Sequence, residues 1–145
     1  AFVGTRRYRP MQWDEVTDWR LYPMGRGEKW MGFDAVRDLN GLLPEILLVP
    51  LPGHTWGHSG VAIDTGNGWL FYCGDAYFYH GEVGRKKPTC PPGMMFYQTM
   101  MEVDRAARLG NQRRLRALSL ERRGEITLFC AHDRIEFERM QAGSR

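Results

Sequence analysis

The sequence has few cysteines and no long apolar run. Its 145 residues contain Cys73, Cys90 and Cys130, which cannot all pair within one chain. None is spaced as in a zinc knuckle, so the pattern argues against a disulfide framework and favours a reducing, cytoplasmic location. No stretch approaches the roughly 20 apolar residues that a membrane helix needs. The arginines near the N-terminus are followed by no apolar segment of the kind found in signal peptides.

Concentrated charge of one sign is also lacking. The formal net charge is +3, with 43% hydrophobic and 26% charged residues, which is typical of a globular protein. The densest basic stretch, residues 105–123, is interrupted by acidic residues and by leucines at helical spacing. It therefore predicts a solvated helix face and argues against a nucleic-acid surface. The length suits one domain or part of a larger one.

Apolar runs separated by turn signals predict an α/β protein with a mainly antiparallel or mixed sheet and flanking helices. Predicted strands cover residues 33–39, 45–51, 61–64, 69–73 and 126–130. The continuous run 45–51 is typical of a strand buried on both faces. Asn67-Gly68 predicts a hairpin turn, because both residues tolerate positive φ. We expect an irregular arm with a first strand over residues 1–40 and the main domain over 41–145.

Helical spacing covers residues 96–123. We expect a break at Gly110-Asn111, a stop at Gly124 and a short helix in the tail from Glu136. A loop rich in Tyr, Gly, Lys and Pro spans residues 77–93 and is long enough to have a function.

Three potential metal ligands follow predicted strands. His54, Asp75 and His132 each come directly after an apolar run, so neighbouring strands would bring them to one sheet edge. Imidazole binds zinc and similar ions well, and a carboxylate can bridge two cations. Gly53 and Gly74 would allow the backbone to approach a metal closely. Taken singly, a histidine after a strand is more often a loop residue, and Gly-Asp is usually a turn.

The combined motifs are far more specific. Leu51-Pro-Gly-His-Thr-Trp-Gly-His58, then Cys73-Gly-Asp75, then Ala131-His132-Asp133 resemble the metallo-β-lactamase superfamily, which includes glyoxalase II and acyl-homoserine lactonases. The resemblance covers about residues 45–135. It implies the C-terminal half of an αββα sandwich with two divalent metal ions, zinc first and iron or manganese as alternatives.

The resemblance also implies roles for individual residues. His54 would complete the first metal site, Asp75 would bridge both metals, and His132 would bind the second metal. These three are the candidate catalytic and metal-binding residues. Thr55, His58 and Asp133 would support them through hydrogen bonds.

Aromatic residues after Asp75 are candidates for a substrate pocket. Tyr77 and Tyr79 flank the position at which the lactonase branch has a tyrosine, and Phe78 occupies it. Core packing is an equally strong interpretation of each aromatic side chain. His80 is more consistent with a loop-supporting residue than with a ligand. Cysteines at the ends of apolar strands favour inert, buried thiols over nucleophiles.

The other metal-binding motif of this superfamily, His-x-His-x-Asp-His, is absent from the sequence. We therefore expect part of a metal-dependent hydrolase acting on an ester, lactone, thioester or amide, inactive alone. Its partners would be a small-molecule substrate and a missing N-terminal half or a second copy of the chain, with no nucleic acid and no membrane. A degenerate, non-catalytic binding module or partner subunit is the alternative. Nucleic-acid processing is a third possibility, disfavoured by the lack of a basic groove.

Overall fold

A computed structural model describes residue 11, residues 13–23, residue 25 and residues 27–143. Residues 1–10 of the predicted arm, with all their arginines, thus lie outside the described residues. The strands are β1 (Glu28–Trp30), β2 (Phe33–Ala35), β3 (Ile46–Pro50), β4 (Ser59–Asp64), β5 (Trp69–Tyr72) and β6 (Ile126–Phe129). The helices are α1 (Pro92–Met101), α2 (Arg105–Glu121) and α3 (Arg134–Gly143), and a 3-10 turn spans His80–Glu82.

Two sheets contain these strands. β1 and β2 form an antiparallel hairpin, and the larger sheet has the order β3-β4-β5-β6. The first three strands of the larger sheet are antiparallel, whereas β6 runs parallel to β5. A parallel pair needs a long crossover, which here contains α1 and α2. The predicted α/β class with a mixed sheet and flanking helices is confirmed.

The core lies on the face of the larger sheet that α2 covers. Leu47 of β3 and Phe71 of β5 are fully buried with Leu115 and Leu118 of α2. The β1–β2 hairpin adds Trp30, whose ring meets Phe71 edge-on at 5.2 Å. Burial of these large apolar side chains is the main favourable contribution to folding.

Burial in β3 differs from the prediction for residues 45–51. Leu47 and Val49 are fully buried, whereas Ile46, Leu48 and Pro50 between them are only partly buried. The prediction that this strand is buried on both faces was therefore wrong. β3 is an edge strand of the larger sheet. Among the described residues, only one β-bridge, between Val36 and Leu48, lies on its outer side.

The predicted hairpin joins β4 to β5, with Asp64 opposite Trp69. Its positive φ angles, however, fall on Gly66 (78°) and Gly68 (128°), so Asn67 does not supply one. The carbonyl of Gly68 accepts bonds from both the backbone N–H and the hydroxyl of Thr65. Thr65 thus closes the turn, and the two glycines provide its unusual backbone angles.

The boundary between the two helices was predicted incorrectly. α1 ends at Met101 and α2 begins at Arg105, while Gly110 lies within α2. Asp104 caps α2, because its carboxylate accepts the N–H of Ala107 at 2.9 Å. As expected, Gly124 follows the end of α2 with a φ of 89°, and the tail forms a helix, which begins two residues before Glu136.

Arg105, Arg113 and Arg114 of α2 are exposed, in agreement with the predicted solvated face, although two arginines of this helix also make structural contacts. Arg108 is buried and pairs with Glu102. Arg114 lies 4.0 Å above the ring of Phe33. No described helix is long and apolar enough to cross a membrane.

Candidate metal centre

Three loops meet at one edge of the larger sheet. β3 and β5 are both antiparallel to β4, and β6 is parallel to β5, so β3, β5 and β6 all point the same way. His54 follows β3, Asp75 follows β5 and His132 follows β6. The strand directions therefore bring these three residues together, as the sequence predicted.

Asp75 lies between the two histidines. Its Oδ2 is 3.1 Å from Nε2 of His54, and its Oδ1 is 2.9 Å from Nε2 of His132. His54 is buried, whereas the His132 side chain is about half-exposed. The pKa of Asp75 is lowered, chiefly by the hydrogen bond from His54, and desolvation only partly opposes this. Each histidine thus faces a different oxygen of one carboxylate.

These residues have the right chemistry for a divalent ion but do not complete a site. Imidazole nitrogen and carboxylate oxygen are the donors that zinc and similar ions prefer. The Oδ1 of Asp75 is buried and lacks a hydrogen bond of good angle despite its short distance to His132, so it could still bind a cation. Within the part of the chain that the structure describes, no group of three or more such side chains is arranged to hold a metal ion. The donor atoms of His54, Asp75 and His132 thus fit part of a metal site.

His58 connects two of the loops. Its Nε2 accepts the backbone N–H of Asp75 at 2.9 Å, and its Nδ1 lies 2.9 Å from the carbonyl of Leu51. Because the carbonyl can only accept, Nδ1 must carry the proton. His58 therefore links the backbone of Asp75 to Leu51, the first residue of the first motif.

The two motif glycines make room for protein atoms. A Cβ on Gly74, which has a φ of 54°, would lie 2.7 Å from Nε2 of His58. A Cβ on Gly53, with a φ of 142°, would lie 2.5 Å from the backbone nitrogen of Arg108. The protein atoms closest to these two glycines thus belong to His58 and to the first turn of α2.

Thr55 and Asp133 hold their loops through hydrogen bonds. The carbonyl of Thr55 accepts the N–H groups of Gly53 at 3.0 Å and His58 at 3.4 Å. The Oδ1 of Asp133 accepts the N–H groups of Ile135 and Glu136, which begin α3. Asp133 is therefore the N-cap of α3 and fixes the backbone next to His132.

The aromatic residues after Asp75 have different surroundings. Tyr77 is fully buried, and its hydroxyl lies 3.0 Å from each carboxylate oxygen of Glu136. Tyr79 is partly buried and contacts the ring of His80 at 4.2 Å. Tyr77 thus packs the core, which was one of the two interpretations of each aromatic residue.

Phe78 is the aromatic residue that contacts the candidate site. Its ring centroid lies 4.6 Å from that of His132 and 5.8 Å from that of His54. It is only 4% exposed and also meets Tyr97 of α1 at 6.0 Å. The one signal that separated Phe78 from its aromatic neighbours was its place in the resemblance, at the position where the lactonase branch has a tyrosine.

A buried polar cluster holds the loop that follows Asp75. Both carboxylate oxygens of Glu82 accept from the Gln98 amide, and Glu82 also bonds to Gln112. Its Oε2 accepts the N–H groups of Phe78 and Tyr79 at 3.0 and 3.2 Å. Sequence reasoning missed this cluster, because its members lie on separate elements.

The cysteines agree with the prediction of inert thiols. Cys73 and Cys130 are buried, and desolvation raises the pKa of both well above the usual value. Burial also raises the pKa of Cys90 to about 11, with the nearby Glu82 adding to the shift. All three thiols are therefore protonated at neutral pH.

The resemblance drawn from the sequence motifs agrees with relatives that are named probable metallo-hydrolases. The chain is 35% identical over 129 residues to the probable metallo-hydrolases Rv2300c of Mycobacterium tuberculosis and Mb2322c of Mycobacterium bovis. Each match covers 88% of this chain and 40% of the relative. The chain thus spans less than half the length of these relatives.

Solved structures show a partial likeness. One is an N-acyl homoserine lactone hydrolase with N-hexanoyl-L-homoserine bound at its catalytic metal centre. It is 18% identical with a TM-score of 0.48, and the match covers 68% of this chain and 34% of that one. A mutant of AiiA from B. thuringiensis, with N-decanoyl-L-homoserine bound at its active site, gives the same values. No family model matches the chain.

Proposed function

We propose that this chain is the C-terminal part of a metal-dependent hydrolase that cleaves an ester, lactone, thioester or amide. The observation that carries the proposal is the position of Asp75, which presents a separate oxygen to each of two histidine Nε2 atoms, at 3.1 and 2.9 Å. A carboxylate that bridges two cations uses its oxygens in this way. The relationship to probable metallo-hydrolases supports the same reaction class.

His54 and His132 would supply neutral imidazole nitrogens, and Asp75 would supply a negative charge shared between two ions. Bound divalent ions, zinc in the first instance, would make hydroxide available near neutral pH for attack on a carbonyl carbon. His58 would keep the backbone of Asp75 in place through its bond to the N–H group. Phe78 would limit rotation of both imidazoles and exclude water from one side of them.

The remaining ligands would come from a second half of the domain. All four histidines of the sequence lie in the described part, and His58 and His80 bond to other protein groups. The face of the sheet opposite α2 carries a row of apolar side chains in register, namely Leu48, Val61, Tyr72 and Phe129. Tyr72 is 38% exposed, so this row offers apolar surface to a partner layer.

We propose an N-terminal half as that partner, with a second copy of the chain as the other outcome to test. The small-molecule substrate would bind where the two halves meet. A cytoplasmic location remains part of the proposal and rests on the three unpaired cysteines.

The test is hydrolysis by the natural protein of a panel containing an ester, a lactone, a thioester and an amide, with and without a strong chelator. We expect activity on at least one member, loss on chelation and recovery with zinc. His132→Ala should lower kcat/KM by at least about a hundredfold, since a ligand is lost. Glu121→Gln, at an exposed position at the end of α2, is the control and should remain fully active.

A non-catalytic binding module is the second candidate. The incomplete ligand set among the described residues favours it. Under this alternative the natural protein would bind no divalent metal and would hydrolyse no member of the panel, whatever metal is added.

A further inference from the structure

His80 and Asp133 form a largely buried pair that joins two loops of the candidate site. The Nδ1 of His80 lies 2.8 Å from Oδ2 of Asp133, and the backbone N–H of His80 donates to the same oxygen at 2.6 Å. The exposed fractions of the two side chains are only 12% and 4%. Because a carboxylate only accepts, Nδ1 of His80 carries the proton in this bond.

The carboxylate of Asp133 is fully used by these contacts. Its other oxygen accepts the N–H groups of Ile135 and Glu136 at 2.9 and 3.1 Å. One carboxylate therefore holds the start of α3 and the 3-10 turn that begins at His80. Four well-placed donors leave it little freedom to move.

The pair closes a ring of contacts around His132. Asp133 is the residue after His132, and His80 lies five residues after Asp75. The ring is completed on the other side by the 2.9 Å contact between Nε2 of His132 and Oδ1 of Asp75. The N–H of Ala131 also donates to the carbonyl of Gly74 at 3.0 Å, and the hydroxyl of Tyr77 contacts Glu136, so the two loops have several links. The His80–Asp133 bonds are the link made by the side chain of the residue that follows His132.

We propose that His80 is a positioning residue: through Asp133 it fixes the loop of His132 against the loop of Asp75. It thereby sets the separation of the His132 imidazole and the Asp75 carboxylate. Its importance for metal binding rests on the proposed function, since His132 and Asp75 bind metal only under that proposal. Partners that orient metal ligands typically change metal affinity by 10–100-fold when they are lost.

The variants are chosen to separate position from stability. His80→Ala removes the side-chain donor, whereas His80→Asn keeps an N–H donor near the position of Nδ1. Asp133→Asn keeps one oxygen to cap α3 but places an amide group opposite the donors of His80. Glu138→Gln is the matched control, because it weakens only the exposed pair with Arg134 on the same helix.

Zinc affinity of the natural protein, measured by competition with a coloured chelator, is the first readout. We expect a loss of about 10–100-fold in His80→Ala and Asp133→Asn. His80→Asn should come within about threefold of the wild type, and Glu138→Gln should match it. Urea unfolding of the metal-free proteins shows whether a loss of affinity merely follows a loss of stability.

Magnetic resonance of the histidine side chains in metal-free protein is the second readout. We expect the imidazole signals of His132 to shift in His80→Ala and to return toward the wild-type position in His80→Asn. Unchanged His132 signals in His80→Ala, or a His80→Asn variant as impaired as His80→Ala, would overturn the proposal. If the wild type binds no zinc, the proposed function fails, and the resonance experiment still decides the positioning role.

Discussion

Tyr77 and Phe78 are adjacent in the sequence but have different surroundings. The Tyr77 hydroxyl contacts the buried carboxylate of Glu136, whereas the Phe78 ring lies against His54 and His132. Both residues lie in the irregular loop after β5, so no regular alternation tells which side chain enters the core and which reaches the histidines. Composition alone could place an aromatic cluster after Asp75 but could not say which ring reaches the histidines.

Tyr77→Phe should therefore affect stability rather than substrate binding. Removal of the hydroxyl leaves Glu136 with one hydrogen-bond donor fewer in a buried place, which costs about 1–3 kcal/mol. Urea unfolding should show this loss, while KM for a hydrolysed substrate should not change. An increase of KM of tenfold or more with unchanged stability would instead indicate a substrate contact.

Glu136 should make stability depend on pH. Burial raises its pKa above the ordinary value of 4.5, so its contribution to stability is present at acid pH and is lost as the pH rises through the raised pKa. Glu136→Gln cannot ionise. The free energy of unfolding of the wild type should therefore decrease relative to this variant between pH 4.5 and 7.5, as measured by urea unfolding. A constant difference over that range would contradict this assignment.

At the level of elements, strands were easier to predict than helix boundaries. The apolar runs before His54, Asp75 and His132 identified β3, β5 and β6, because alternation and turn signals are local. The break between α1 and α2 was missed, because Gly110 resembles a helix breaker. The true start of α2 depends on Asp104 and on the carbonyl of Gly53, which accepts the N–H groups of Val103 and Asp104.

Gly53 should be the most sensitive glycine of the first motif. Gly53→Ala would bring a Cβ against the backbone of Arg108 at a positive φ, so it should lower the free energy of unfolding by roughly 1–3 kcal/mol or more. Gly57→Ala is the matched control in the same loop, since its added Cβ would meet nothing within 4 Å. The control should stay within about 0.5 kcal/mol of the wild type. Equal unfolding midpoints for the two variants would refute this packing argument.

At the level of the whole molecule, the sequence predicted the proximity of the three candidate ligands better than the contacts that support them. Strand-end positions were enough to bring His54, Asp75 and His132 together. The supporting contacts could not be predicted, because His80 and Asp133 are 53 residues apart and Glu82 and Gln112 are 30 apart. The sequence also predicted the α/β class.

The metal content of the natural protein tests the central claim most directly. Elemental analysis after dialysis should find divalent metal bound in at least a one-to-one ratio to the wild type. The Asp75→Ala variant should lose most of this metal, because the carboxylate of Asp75 contacts both histidines. A wild-type protein free of metal, or an Asp75→Ala variant with undiminished metal content, would contradict the assignment of His54, Asp75 and His132 to a metal centre.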